Sequence, residues 1–184
     1  MQTLIHFNNF VKEINENNGR LYKQSVLNKY KDDTIIQKYL QIAFDPYKIF
    51  GISTRKLHKQ VSGIAYPADS VFDLFYWLEK HNTGTDEDLA VVAACDTALG
   101  PYYRDLLRAV VCKDLSIGID AKTINKVIPG FIPQFACMLA ERYFEQPERL
   151  EGTGFAITTK LDGFHLIVYK NADGSIECYS RVGQ

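Results

Sequence analysis

The chain has 184 residues, 46% of them hydrophobic, enough for one well-packed core or for one domain and the start of another. Charged residues at 23% are ordinary for a soluble globular protein, and a net charge of −1 does not announce a nucleic-acid binder. The longest apolar run, Leu89–Cys95, is far short of a membrane span, and the N-terminus lacks a charged-then-apolar signal pattern.

The distribution of charge says more than its sum. Residues 19–60 hold nine Lys/Arg against three Asp, and residues 61–100 hold one Lys against seven Asp/Glu. This reads either as a basic face hidden by the total or as two solvated helical faces of opposite sign. The four cysteines, at 95, 112, 137 and 178, include no CxxC pair and have no nearby His, so no residue is assigned as a metal ligand. Cys95, Cys112 and Cys137 have apolar neighbours and read as buried reduced thiols. The cytoplasm is the expected location.

In chain order, residues 1–150 read as helical. Leu4, Phe7, Val11 and Ile14 recur at three- and four-residue intervals until Asn17-Asn18-Gly19. Leu21, Ser25, Leu27 and Tyr30 suggest a weaker helix, and Ile35, Ile36, Tyr39, Leu40 and Ala43 a third, stopped by Asp45-Pro46. The spacing predicts a helix over 70–81 with Asp69 as N-cap, then one over 86–98 whose acidic first turn suits the helix dipole. Gly100-Pro101 opens a helix over 102–112 with Leu106, Leu107, Val110 and Val111 in one stripe. Asp120 caps a short helix over 121–127, which Pro129-Gly130 ends, and a last helix is expected over 136–144.

Residues 147–153 read as a linker, beyond which the apolar period becomes two. Turn signals at Asp162-Gly163 and Asn171-Ala172-Asp173-Gly174 divide the remainder into strands expected near 155–161, 164–170 and 175–181. The expected fold class is therefore mainly α: an all-helical domain over 1–150, then a short antiparallel β-meander over 151–184. So small a meander is marginal alone, and a truncated sheet whose other strands lie beyond Gln184 is expected.

The chemistry is carried by Thr159-Lys160-Leu161-Asp162-Gly163 and by Ser180-Arg181-Val182-Gly183. A lysine is almost fully protonated at neutral pH, with an ordinary pKa of about 10.4. It becomes a nucleophile only where desolvation or nearby cations lower that value. A strand would fix its direction, Asp162 would share its face, and Gly163 would permit a tight turn. Alone, Lys-x-Asp-Gly also describes a solvated strand residue before a common hairpin turn.

The stretch 104–133 adds Lys113-Asp114-Leu115, Gly118 and Lys122-Thr123-Ile124-Asn125-Lys126-Val127. With the lysine motif about 30 residues later, it resembles the end of the helical DNA-binding domain and the start of the adenylation (nucleotidyltransferase) domain of bacteriophage-type ATP-dependent DNA ligases. The resemblance implies that Lys160 is the catalytic residue that takes AMP from ATP. It implies that Thr158 and Thr159 lie against adenine, that Asp162 completes the motif, and that Arg181 contacts nucleotide or DNA phosphate. Position 165, usually arginine in that family, is His165 here, and an imidazole cannot make the bidentate phosphate clamp of a guanidinium. Lys113, Gly118, Lys122 and Lys126 are implied as DNA-binding residues, with Gly118 and the helix at Ala121 matching a minor-groove element.

On this resemblance the chain is the N-terminal portion of a nick-sealing enzyme, itself inactive. The parent would use ATP and Mg²⁺, act on nicked double-stranded DNA as a monomer without a membrane, and work in a bacterial or phage-infected cytoplasm. A stand-alone DNA-binding module, or a fragment of an RNA ligase or capping-type nucleotidyltransferase, are the alternatives. The first would bind nicked duplex without forming an AMP-lysine; the second would lack the helical 104–133 element.

Overall fold

Leu4, Phe7, Phe10 and Ile14 lie on one side of the first helix, α1 (Gln2–Asn15), and all four are buried. That apolar stripe is the floor on which the helical part of the chain is assembled. The computed structural model describes residues 1–59, 61, 70–135, 143–145, 147–152, 154–159 and 162–180. The chain divides into two compact units, Met1–Pro133 and Gln134–Gln184, so the first unit closes before the change of period near 150.

In the first unit, α2 (Arg20–Lys29) and α3 (Thr34–Phe44) both pack on α1. The Asp33 carboxylate starts α3 by accepting from the backbone amides of Ile35 and Ile36. Next come a single turn, α4 (Thr54–Leu57), started by the Ser53 side chain, and then α5 (Val71–His81), α6 (Asp86–Leu99) and α7 (Pro101–Val111). The last helix of the unit is α8 (Ala121–Val127). Both α5 and α6 open with a reciprocal capping box, Ser70 with Asp73 and Thr85 with Asp88. Gly100, at φ 75°, ends α6 and caps α7, where Pro101 occupies the first turn, whose amide needs no helical partner.

Aromatic rings form the centre of the core. Tyr39 of α3 stacks on Phe7 with ring centroids 4.4 Å apart, and Phe72 and Phe75 of α5 close on its other sides. Burial pushes the Tyr39 hydroxyl up to about 12, and its oxygen lies 3.2 Å from Thr3 Oγ1. Each such ring removed from water contributes about 2–3 kcal/mol.

In the second unit, Tyr143–Glu145 and Pro147–Leu150 are 3₁₀ turns, and two antiparallel strands follow, β1 (Leu166–Lys170) and β2 (Ile176–Ser180). Their register pairs Leu166 with Ser180 and Lys170 with Ile176. The turn between them is held by Asp173, whose carboxylate accepts from the amide and hydroxyl of Ser175. Among the described residues the whole is thus mainly helical with a short antiparallel sheet, and no helix is long and apolar enough to cross a membrane.

The structure corrects several local expectations. The buried stripe of α2 is Lys23, Val26 and Leu27, while Leu21 is 81% exposed. Ser70, not Asp69, caps α5, since only an acceptor in register with the third helical amide closes the box. Of the three strands, the second and third form; residues 155–159 carry no strand pairing, and Ile157 is 89% exposed. An alternating pattern becomes a strand only where a neighbour takes up its backbone bonds. Residues 136–142 of the last expected helix lie outside the described residues, as do Asp69 and Cys137. Cys95 is buried as expected, Cys112 half-buried and Cys178 exposed.

Candidate nucleic-acid interface

The segment from the end of α7 to Pro133 is built around one reversal of the chain. Lys113 adopts a left-handed backbone, φ 56°, so that Asp114 N–H reaches back to Ala109 O at 2.9 Å and closes α7. Its side chain runs into the fold. The ammonium donates to Ile42 O at 2.9 Å and Asp45 O at 2.6 Å, where α3 ends, and lies over the Phe50 ring. A cation there satisfies terminal carbonyls and complements the negative end of α3. Burial is the main cause of a Lys113 pKa lowered to about 8, opposed by the nearby Asp45 carboxylate.

Beyond it, Ile117 anchors the loop by burying its side chain, and its carbonyl accepts from Lys23 Nζ of α2 at 2.6 Å. Gly118 follows at φ 63°, and a Cβ there would stand 2.3 Å from that same Nζ. Backbone strain and lack of space therefore both call for glycine. Asp120 caps α8, its Oδ1 accepting from Thr123 N at 2.8 Å and from Thr123 Oγ1 at 2.7 Å. These Thr123 bonds hold the Asp120 carboxyl below its ordinary range. The α8 N-terminus is thus already occupied by its own cap. Asn125 donates to Ile132 O at 2.7 Å and accepts from Ile132 N at 2.8 Å, folding 128–133 back onto α8. Lys122 and Lys126 remain exposed on α8.

Four sequence-predicted DNA residues therefore lie in one continuous segment but in two roles. Gly118, Lys122 and Lys126 are at the surface, whereas the Lys113 ammonium is bonded inside the fold. Lys23 is the residue that sequence reasoning missed: it is 4% exposed beneath the Gly118 loop. Its only sequence signal is membership of the basic stretch 19–60.

In the second unit, Thr158, Thr159, Asp162 and His165 are all exposed, the threonines without strand pairing and His165 just before β1. Lys160 and Arg181 lie outside the described residues. Among the described residues no group of three or more His, Cys, Asp or Glu side chains could hold a metal ion.

No protein-family profile matches the chain, and no curated protein matches it. Solved structures do. Pmar-Lig_PreS3 matches with a TM-score of 0.65 and 22% identity, over 97% of this chain and 42% of that one. Pmar-Lig_Pre. matches with a TM-score of 0.66 and 21% identity, again over 97% of this chain and 42% of that one. At this identity the likeness is one of fold, to chains whose names carry the label Lig. The chain spans less than half the length of the structures it resembles.

Proposed function

We propose that the chain is the N-terminal portion of an ATP-dependent DNA ligase of the bacteriophage kind. The helical unit would hold nicked duplex DNA, and Lys160 would carry AMP. The observation that carries this reading is the fold shared over 97% of the chain with structures named as ligases. The exposed cations Lys122 and Lys126 beside the Gly118 loop support phosphate contact, because neutralising backbone charge releases counterions. Lys113 is left out of that contact set, since its ammonium is turned into the fold and bonded to Ile42 O and Asp45 O.

In the proposed reaction the neutral Lys160 amine attacks the α-phosphorus of ATP. A P–N bond forms, the P–O bond to pyrophosphate breaks, and the lysine proton passes to solvent. AMP then moves to a 5′-phosphate at the nick, and the 3′-hydroxyl displaces it. Thr158 and Thr159 would flank the base, and Asp162 would orient the lysine or a ribose hydroxyl. His165 would offer a single hydrogen bond where the family usually has an arginine, and Arg181 would touch a phosphate. The described residues offer no cluster that fits Mg²⁺. The proposal assigns that ion to parts of the whole ligase outside this chain.

Mass spectrometry after incubation with ATP and Mg²⁺ tests the reading. The 184-residue chain is expected to gain no AMP, because phosphoryl transfer depends on charges that neutralise the triphosphate and hold it in line. The whole ligase gains one AMP, and Lys160→Ala abolishes it. An adduct on another residue of the whole protein removes Lys160 from the mechanism. Binding of nicked duplex with no adduct in any form would favour a DNA-binding module instead.

A further inference from the structure

The wall between α2 and the Gly118 loop contains a buried cation without an anion. Lys23 is 4% exposed, and its ammonium makes one hydrogen bond, to Ile117 O. Among the described residues no carboxylate pairs with it. A buried ammonium with two protons unplaced is costly unless something supplies acceptors. Lys23 lines a cavity of about 470 Å³ together with Arg20, the first residue of α2, and with Gly118 and Asp120. The Asp120 carboxylate is held by Thr123, so the wall carries two cations against one capped anion.

We infer that this cavity seats one backbone phosphate of the bound duplex, held by the Lys23 ammonium and the Arg20 guanidinium. The inference rests on the DNA reading above. The ammonium acts as a point charge and the guanidinium as a fork, a pairing suited to one phosphate with several free oxygens. A polyanion fits better than a small ion because further cations stand beside the cavity on α8. Lys122 is near enough to act on the Asp120 carboxylate, and Lys126 follows it by one helical turn. Gly118 keeps the ammonium in place, since any side chain there would displace it.

The test is fluorescence anisotropy of a labelled nicked duplex with the full 184-residue chain, at salt from about 50 to 200 mM. Lys23→Met and Arg20→Gln are each expected to lower the slope of log K against log salt by about 0.9, one phosphate's worth, and to weaken binding roughly eightfold at 0.1 M salt. Gly118→Ala should weaken binding when Lys23 is present and add nothing to Lys23→Met. Circular dichroism establishes that each variant is folded, and Arg20→Gln, at an exposed position, keeps the test alive if the buried substitution is not tolerated. Inorganic phosphate, read by thermal shift, is the control ligand. If the unaltered chain binds duplex and the folded variants keep its salt slope, the phosphate seat is wrong and the DNA reading stands. If the chain does not bind duplex yet phosphate raises its Tm in a Lys23-dependent way, the cavity takes a free anion and both duplex assignments fall.

Discussion

Lys113 and Lys23 show how differently two inward-turned lysines can be used. From sequence, Lys113 reads as a phosphate contact and Lys23 as one charge among many in a basic stretch. A run of residue types reports charge but not direction. What decides direction is a partner distant in sequence: Ile42 and Asp45 for Lys113, and Ile117, 94 residues away, for Lys23. The buried amine of Lys113 makes a pH prediction. Its pKa falls from 10.5 to about 8 in the folded chain, so the unfolded chain binds the proton more tightly between those values. Protonation thus favours unfolding, and stability from this group rises as pH climbs from about 8 towards 10.5. The neutral amine keeps two N–H groups, enough for both carbonyls. Denaturant melts at pH 7 and pH 10.5 are expected to show the native chain gaining on the order of 1–3 kcal/mol relative to Lys113→Met, one pKa unit being worth about 1.4 kcal/mol. Parallel curves for the two proteins would show that the amine is not desolvated.

At the scale of elements, helix existence was readable in α1, α3, α5 and α7 because the apolar period is strong, and in α6 and α8 from the acidic first turn and the Asp120 cap. The four-residue α4 was not readable, since one turn carries no period and depends on the Ser53 cap. Nor was the unpaired state of 155–159, because alternation records a face and not the presence of a neighbouring strand. Of the candidate site, the segment 113–126 was readable as a unit, but its division into inward and outward cations was not. The two capping boxes give a matched comparison. In α5 the box is exposed, Asp73 accepting from the Ser70 amide and hydroxyl. In α6 the same bonds are made by Asp88, which is 1% exposed and whose other oxygen accepts from Trp77 Nε1 at 3.3 Å. Asp73→Ala is expected to cost about 1 kcal/mol, an ordinary cap. Asp88→Ala should cost about 2–3 kcal/mol, because it removes a buried carboxylate that serves the Thr85 amide, the Thr85 hydroxyl and the Trp77 indole together. Equal losses in chemical denaturation would mean that burial adds nothing to the second box.

For the whole molecule the question is which residues the helical unit needs. Among the described residues, every buried hydrophobic side chain lies between Leu4 and Ile132. Phe155, Ile157, Phe164, Leu166, Val168 and Ile176 of the second unit are all more than half exposed. The hydrophobic effect scales with apolar area removed from water, so these residues contribute little to a cooperative melt. Ile132 matters because it is 1% exposed and is clasped by both ends of the Asn125 amide, which ties the last stretch of the unit to α8. A chain ending at Pro133 is therefore expected to keep its helical circular dichroism and a single cooperative transition, with Tm within a few degrees of the full chain. It should also bind nicked duplex with a similar salt slope, since the phosphate contacts proposed for the helical unit, at Arg20, Lys23, Lys122 and Lys126, all precede residue 127. A chain ending at Gly118 loses α8 and the buried Ile124, and leaves the α2 surface that faced them open to water. Its loss is that of two large buried aliphatics, Ile124 and Ile132, about 2–5 kcal/mol each, together with the backbone bonds of one helix. Calorimetry of the two shortened chains decides the matter. If ending at Pro133 abolishes the transition, the strands belong to the helical core and the division into two units is wrong; if ending at Gly118 changes nothing, α8 is an appendage and cannot position a DNA contact.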